Sequence, residues 1–129
     1  MTKALVVQKY PMNMELVIEM LTTMGFIAHG TNDANEVIKV IEKELYDLII
    51  IDTEPLGLDY RQLPKIIRSK PPYKDVAIVA ITNNEMPREK ERFLASGFDD
   101  YIPIPIGVSE FIKRMEKYKN SPKKYCRDN

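Results

Sequence analysis

The 129-residue chain predicts an α/β fold: a five-stranded parallel sheet with five helices covering both of its faces. Two observations carry that expectation. Short, continuous apolar runs alternate with segments whose apolar residues recur at helical spacing. The runs also lack the in-and-out alternation of a strand with one wet face, so they read as strands buried on both sides.

The elements follow in order. Ala4-Leu5-Val6-Val7 is the first strand. Pro11–Met24 is a helix with Leu16, Val17, Met20, Leu21 and Met24 on its apolar side, closed by Gly25. Phe26–His29 is the second strand. Asp33 with Glu36 three residues on forms a capping-box pattern, opening a helix that carries Val37, Ile38, Ile41 and Leu45 on one side. Leu48–Ile51 is the most uniformly aliphatic strand and therefore the central one. The turn Glu54-Pro55-Leu56-Gly57 precedes a helix with Leu63, Ile66 and Ile67, in which Pro64 belongs to the first turns and Pro71-Pro72 marks the end. Val76–Ile81 is the fourth strand. A helix from Pro87 to Gly97 turns Phe93 and Leu94 inward. Tyr101–Ile104 is the last strand, and Val108–Lys119 a helix burying Phe111, Ile112 and Met115.

Composition narrows the function classes. Hydrophobic residues make up 44% and charged residues 29%, too apolar for a disordered chain. No apolar run approaches the roughly 18 residues of a membrane helix, and the N-terminus lacks a secretory pattern. One cysteine, Cys126, excludes an internal disulfide, and one histidine, His29, leaves too little for a Cys/His zinc site. A cytoplasmic protein is expected. His29 reads as a half-buried structural residue, and the seven methionines as core filler. Nineteen basic and nineteen acidic side chains cancel, but unevenly: residues 1–64 carry 5 basic and 10 acidic, residues 65–129 carry 14 and 9. Much of the positive excess falls in 113–129, read as a solvated helix face followed by a frayed tail at 121–129. Residues 1–120 form the expected domain.

In a parallel sheet the site lies beyond the carboxyl ends of the strands. The residues to question are Gln8, Lys9 and Tyr10; Asp52, Thr53 and Glu54; Thr82, Asn83 and Asn84; and Ile104-Pro105. Asp52 stands out as a carboxylate closing the central strand.

The segment Tyr46–Asp59, with Asp52 after four aliphatics and a Pro-x-Gly turn behind it, resembles the phosphoacceptor strand of response-regulator receiver domains. Ile78–Thr82 resembles the strand that ends in their switch hydroxyl, and Gly97-Phe98-Asp99-Asp100-Tyr101 the segment before their last strand. The resemblance spans residues from about 3 to 119. It implies the doubly wound, flavodoxin-like receiver fold with strand order 2-1-3-4-5. It also implies two-component phosphorelay signalling, with Asp52 as phosphoacceptor and Thr82 and Tyr101 at the switch positions. In the family, Mg²⁺ held by an acidic pair and the aspartate offsets the charge of the incoming phosphate.

This chain departs from the pattern. Gln8-Lys9 stand where the acidic pair belongs, and Ile104 where a lysine pairs with phosphoryl oxygens. A lysine ammonium has no lone pair to give a metal. Lys9 is expected to take the metal's place and pair with Asp52, making an atypical, pseudo-receiver site with weak or absent Mg²⁺ binding and phosphorylation. No cofactor and no enzymatic output are expected. The alternative is a working phosphoacceptor in which Glu54, two residues after Asp52, helps Asp52 hold Mg²⁺. A flavodoxin-like ligand-binding protein is a distant third, since Gln8–Asn13 offers no small-residue phosphate cradle and Pro11 removes an amide. The expected partners are proteins, a histidine kinase or another signalling protein, meeting residues 87–119, whose Arg88, Arg92, Lys113, Arg114 and Lys117 make that face basic. The same face is also a candidate for a homodimer, and neither a membrane nor nucleic acid is expected. Cys126 receives no role, and the Ile104-Pro105 bond is left open between cis and trans.

Overall fold

The computed structural model describes residues 2–8, 11–53, 60–82, 87–103 and 107–119. The chain runs β1 (Lys3–Val7), α1 (Pro11–Thr23), β2 (Ile27–Thr31), α2 (Val37–Lys43), β3 (Leu48–Asp52), α3 (Leu63–Arg68), β4 (Ala77–Thr82), α4 (Pro87–Ala95), β5 (Asp100–Pro103) and α5 (Val108–Lys119). The strands lie in the order β2-β1-β3-β4-β5, and every neighbouring pair is parallel. The strand order is the one implied by the resemblance, with β3 in the middle.

Alternation along the strands divides the core in two. Leu5 and Val7 of β1, Ile49 and Ile51 of β3, and Ile78 and Ala80 of β4 face one side, under Val37 and Ile41 of α2, Leu63 and Ile67 of α3, and Phe93 of α4. Ala4 and Val6, Leu48 and Ile50, and Val79 and Ile81 face the other, under Val17 and Leu21 of α1 and Phe111, Met115 and Tyr118 of α5. Burial on both faces explains why the central strands read as continuous hydrophobic runs.

Several helix faces differ from the periodicity reading. Leu16 of α1 and Leu94 of α4 are exposed, while their neighbours Val17 and Phe93 are buried. The sheet edge lets each helix bury a narrower stripe than its apolar spacing offers. Leu45 is also exposed, because α2 stops at Lys43 and the chain has already turned extended at Glu44. Only half of the predicted capping box forms. The Asp33 carboxylate accepts the Asn35 N–H at 2.9 Å, opening a 3₁₀ turn over Ala34–Glu36, while Glu36 reaches forward toward Lys39 at 3.9 Å. A second 3₁₀ turn, Tyr60–Gln62, leads into α3, whose first turn accommodates Pro64. Gly25 and Gly97 close α1 and α4 in the left-handed conformation, with φ of +104° and +108°.

Candidate functional site

The carboxyl ends of the parallel strands bring Gln8, Asp52 and Thr82 to one rim of the sheet. The three polar side chains are almost fully enclosed, at 1%, 1% and 2% exposure. The Gln8 N–H donates to the Thr31 carbonyl at 3.1 Å, so the β1–β2 ladder extends one residue past β1. The Thr53 N–H donates likewise to Ile81 O at 2.9 Å. Backbone pairing thus holds both Gln8 and Asp52 on rigid supports.

Register decides which side chains meet. Ala4 pairs with Leu48 and Val6 with Ile50, so the next same-face positions are Gln8 and Asp52. The Gln8 amide Nε2 donates to Asp52 Oδ2 at 2.9 Å. Turning the amide over would set two acceptors against each other at that distance, so the carboxylate dictates the orientation. One consequence is that Gln8 Oε1 is buried with no hydrogen-bond partner.

Thr82 follows the alternation of Ile78 and Ala80 and so belongs to the opposite face, where Tyr101 pairs in register with Ala80. Tyr101 is 8% exposed, its ring lying 5.2 Å from that of Phe93, which in turn meets Phe98 edge-on at 5.7 Å. Thr82 and Tyr101 sit on one face and Gln8 and Asp52 on the other. Lys9, Glu54, Asn83, Ile104 and the Ile104-Pro105 bond lie outside the described residues, as do Cys126 and the tail at 121–129.

Sequence reasoning placed its weight on Lys9 as the partner of Asp52 and treated Gln8 only as a lost anion. The structure adds the Gln8 amide as a donor to Asp52, and the expected Lys9 pairing lies outside the described residues. The signal was available: counting in steps of two along each strand puts position 8 on the face of position 52.

Residues 4–116 match the response regulator receiver domain family. The chain is a receiver domain. It is 29% identical over 119 residues to the sensor protein GacS of Pseudomonas syringae pv. syringae, a match covering 90% of this chain and 13% of that protein. It is 28% identical over 115 residues to the heme response regulator HssR of Staphylococcus aureus, covering 89% of this chain and 50% of that protein. The chain therefore spans only a part of these relatives. Among solved structures, the receiver domain of a Pseudomonas aeruginosa sensor histidine kinase, with magnesium in its active-site cleft, superimposes with a TM-score of 0.81 at 25% identity, covering 93% of this chain and 98% of that one. The Thermotoga maritima response regulator TrrA, in complex with Mg²⁺ and BeF, gives 0.78 at 27% identity, covering 92% and 99%. The Vibrio cholerae chemotaxis protein CheY4 shares the fold, with a TM-score of 0.84 at 22% identity, covering 92% and 98%. The receiver is thus homologous to both response regulators and the receiver domains of histidine kinases.

The family implies a magnesium ion beside the aspartate, and the described residues at this rim do not by themselves suit one. Among the described residues no group of three or more His, Cys, Asp or Glu side chains is placed to hold a metal. The one rim carboxylate they include, Asp52, already receives an N–H on Oδ2. A divalent cation would need oxygen ligands, preferably charged ones, and the Gln8 amide presents an N–H to Asp52 instead.

The β5–α5 face is less open than the sequence suggested. Arg92 and Lys113 are exposed. Arg114 instead reaches back to β5, donating to Tyr101 O at 3.1 Å and lying 3.4 Å from Asp100 Oδ1. Lys117 comes to 3.4 Å from Asp100 Oδ2. The geometry ties part of the predicted basic surface to β5 through Asp100, with Arg114 half-buried and Lys117 still exposed. The Arg88 side chain lies outside the described residues. Among the described residues no helix is long and apolar enough to cross a membrane. His29, with its side chain 44% exposed, has Nδ1 2.7 Å from the Tyr46 hydroxyl and 3.6 Å from Glu44 Oε1.

Proposed function

We propose that this receiver is an atypical one: a docking module of two-component signalling whose Asp52 takes little or no phosphoryl group. Receiver domains act through histidine kinases and other signalling proteins, and this one meets such a partner through residues 87–119, with Arg92 and Lys113 offering exposed positive charge. Residues 1–120 are the receiver unit, with 121–129 a basic extension. The protein works by binding, without a catalytic output of its own, and in the cytoplasm, where two-component partners dock.

The observation that carries this reading is the 2.9 Å hydrogen bond from Gln8 to Asp52, both buried. Phosphoryl transfer to a carboxylate brings two anions together and depends on positive charge at the nucleophile. Here a neutral amide donates to one oxygen of Asp52, and the sequence has Ile104 where a lysine would meet the phosphoryl oxygens.

Incubating the protein with Mg²⁺ and a small phosphodonor such as acetyl phosphate, then measuring its intact mass, tests the reading. The expected result is an unchanged mass. A stoichiometric phosphoryl adduct that disappears in Asp52→Asn would overturn it and would favour a phosphoacceptor assisted by Glu54.

A further inference from the structure

We infer that the outer edge of β2 is a strand-addition site that takes an extended, basic segment of a partner protein. The inference goes beyond the proposed docking through residues 87–119 and does not depend on Asp52.

β2 ends the sheet on one side and β5 on the other. In the ladder with β1, the Ile27 N–H donates to Thr2 O at 2.9 Å, and Thr31 O accepts the Gln8 N–H at 3.1 Å. A parallel strand turns alternate residues toward its neighbour, so His29 also faces β1, while Ala28 and Gly30 present their N–H and C=O groups outward. Among the described residues nothing bonds to those four groups. Gly30 is exposed even though its α1 side is covered, where an added Cβ would lie 2.5 Å from Met14 Sδ and 2.9 Å from Ile18 Cδ1.

The opposite edge is blunted. On β5 the Asp100 carboxylate accepts the Tyr101 N–H at 2.8 Å, Arg114 donates to Tyr101 O at 3.1 Å, and Pro103 has no N–H to offer. Charged side chains and proline are the devices that keep an edge from pairing. β2, Ile27-Ala28-His29-Gly30-Thr31, contains no proline and no Asp, Glu, Lys or Arg.

Charge selects the occupant. Residues 11–44, which hold β2 and the helices before and after it, carry six acidic and two basic side chains. Of these, Glu15, Glu19 and Asp33 have no ion-pair partner among the described residues. A second copy pairing edge to edge would bring two such acidic surroundings together, whereas a lysine-bearing strand meets opposite charge. Main-chain bonds then supply the affinity and the flanking carboxylates the preference.

The test titrates an end-capped heptapeptide of alternating lysine and valine into the full chain, followed by ¹H–¹⁵N NMR and amide hydrogen exchange. At saturation, exchange at the Ala28 and Gly30 amides is expected to slow at least about tenfold, the scale of one net main-chain hydrogen bond, with the β5 amides unmoved. Two control peptides separate the causes. The same sequence N-methylated along its backbone keeps the charge and loses the donors, and a glutamate–valine peptide keeps the donors and reverses the charge. Each is expected to bind at least about tenfold more weakly. No slowing at Ala28 and Gly30, equal binding by either control, or a response confined to residues 87–119 overturns the inference. So does a dimer in sedimentation with Ala28 and Gly30 already protected, which would assign the edge to a second copy.

Discussion

Arg68 holds Asp99 across the gap between α3 and β5. Its Nη2 donates to Asp99 Oδ2 at 2.8 Å and to Val76 O at 2.9 Å, and its Nη1 donates to the Gly97 carbonyl. The same Asp99 oxygen accepts the Ile78 N–H at 2.8 Å, while the Asp99 N–H donates to Ile78 O at 2.7 Å. One arginine thereby ties together the entry to β4, the turn after α4 and the entry to β5. Asp99→Ala is expected to destabilise the domain by about 2 kcal/mol, since it leaves a backbone N–H and a guanidinium without their shared acceptor. Asp99→Asn, which keeps an oxygen for Ile78, is expected to cost about half as much. Urea unfolding followed by circular dichroism measures both.

Tyr73 is the hub of the buried end of α2. Its single hydroxyl proton is shared between the carbonyls of Ile41 (2.7 Å) and Glu44 (2.6 Å), and the hydroxyl oxygen accepts the Tyr46 N–H at 3.3 Å. Those carbonyls are at the end of α2, where no further turn supplies donors. Tyr73→Phe keeps the ring and removes the cap. A loss of about 1–3 kcal/mol is expected in the same unfolding measurement, with little change in the helical signal.

Alkaline pH acts on the same cluster. Burial raises the hydroxyl of Tyr46 above the usual tyrosine value near 10, helped by the Glu44 carboxylate and by Tyr73. Burial also raises Tyr73, partly offset by its backbone bond with Tyr46 and reinforced by Asp47 and Glu44. A raised value means the folded state keeps its proton while the unfolded chain gives it up. The stability contribution is therefore intact below about pH 10 and falls as pH climbs through the raised values. Unfolding midpoints taken from about pH 8 to about pH 11 are expected to drop across the upper part of that range, and less steeply in Tyr73→Phe.

Gly97 tests backbone against space. Its φ of +108° is one that side-chain-bearing residues rarely adopt, and an added Cβ would lie 3.1 Å from Pro64 Cβ of α3. Gly97→Ala is expected to cost about 1–3 kcal/mol, from strain in the left-handed conformation. A thermal melt with no loss of stability would show that the turn after α4 relaxes freely.

Much of the architecture was legible because buried parallel strands and amphipathic helices write themselves as runs and periods. The runs at Leu48–Ile51 and Val76–Ile81 correspond to β3 and β4, and the helix read over Val108–Lys119 is α5 to the residue. The misreadings share a cause. Leu16, Leu45 and Leu94 fit a helical stripe, yet whether an apolar residue on a stripe is covered depends on where the sheet ends and where the helix stops. Arg114 looked like free surface charge, and only the crossing of α5 over β5 brings it to the Tyr101 carbonyl and Asp100.

The chain's own letters determined the parallel α/β sheet, the rim on which Asp52, Thr82 and Gln8 gather, and the departure of Gln8, Lys9 and Ile104 from the receiver pattern, because residue type and spacing act locally along the strand. What only the tertiary structure decided is that the Gln8 amide donates to Asp52. Two strands separated by two helices and another strand must first align in register before positions 8 and 52 become neighbours. Hydrogen bonds act over about 3 Å, a distance that the order of residues along the chain does not encode.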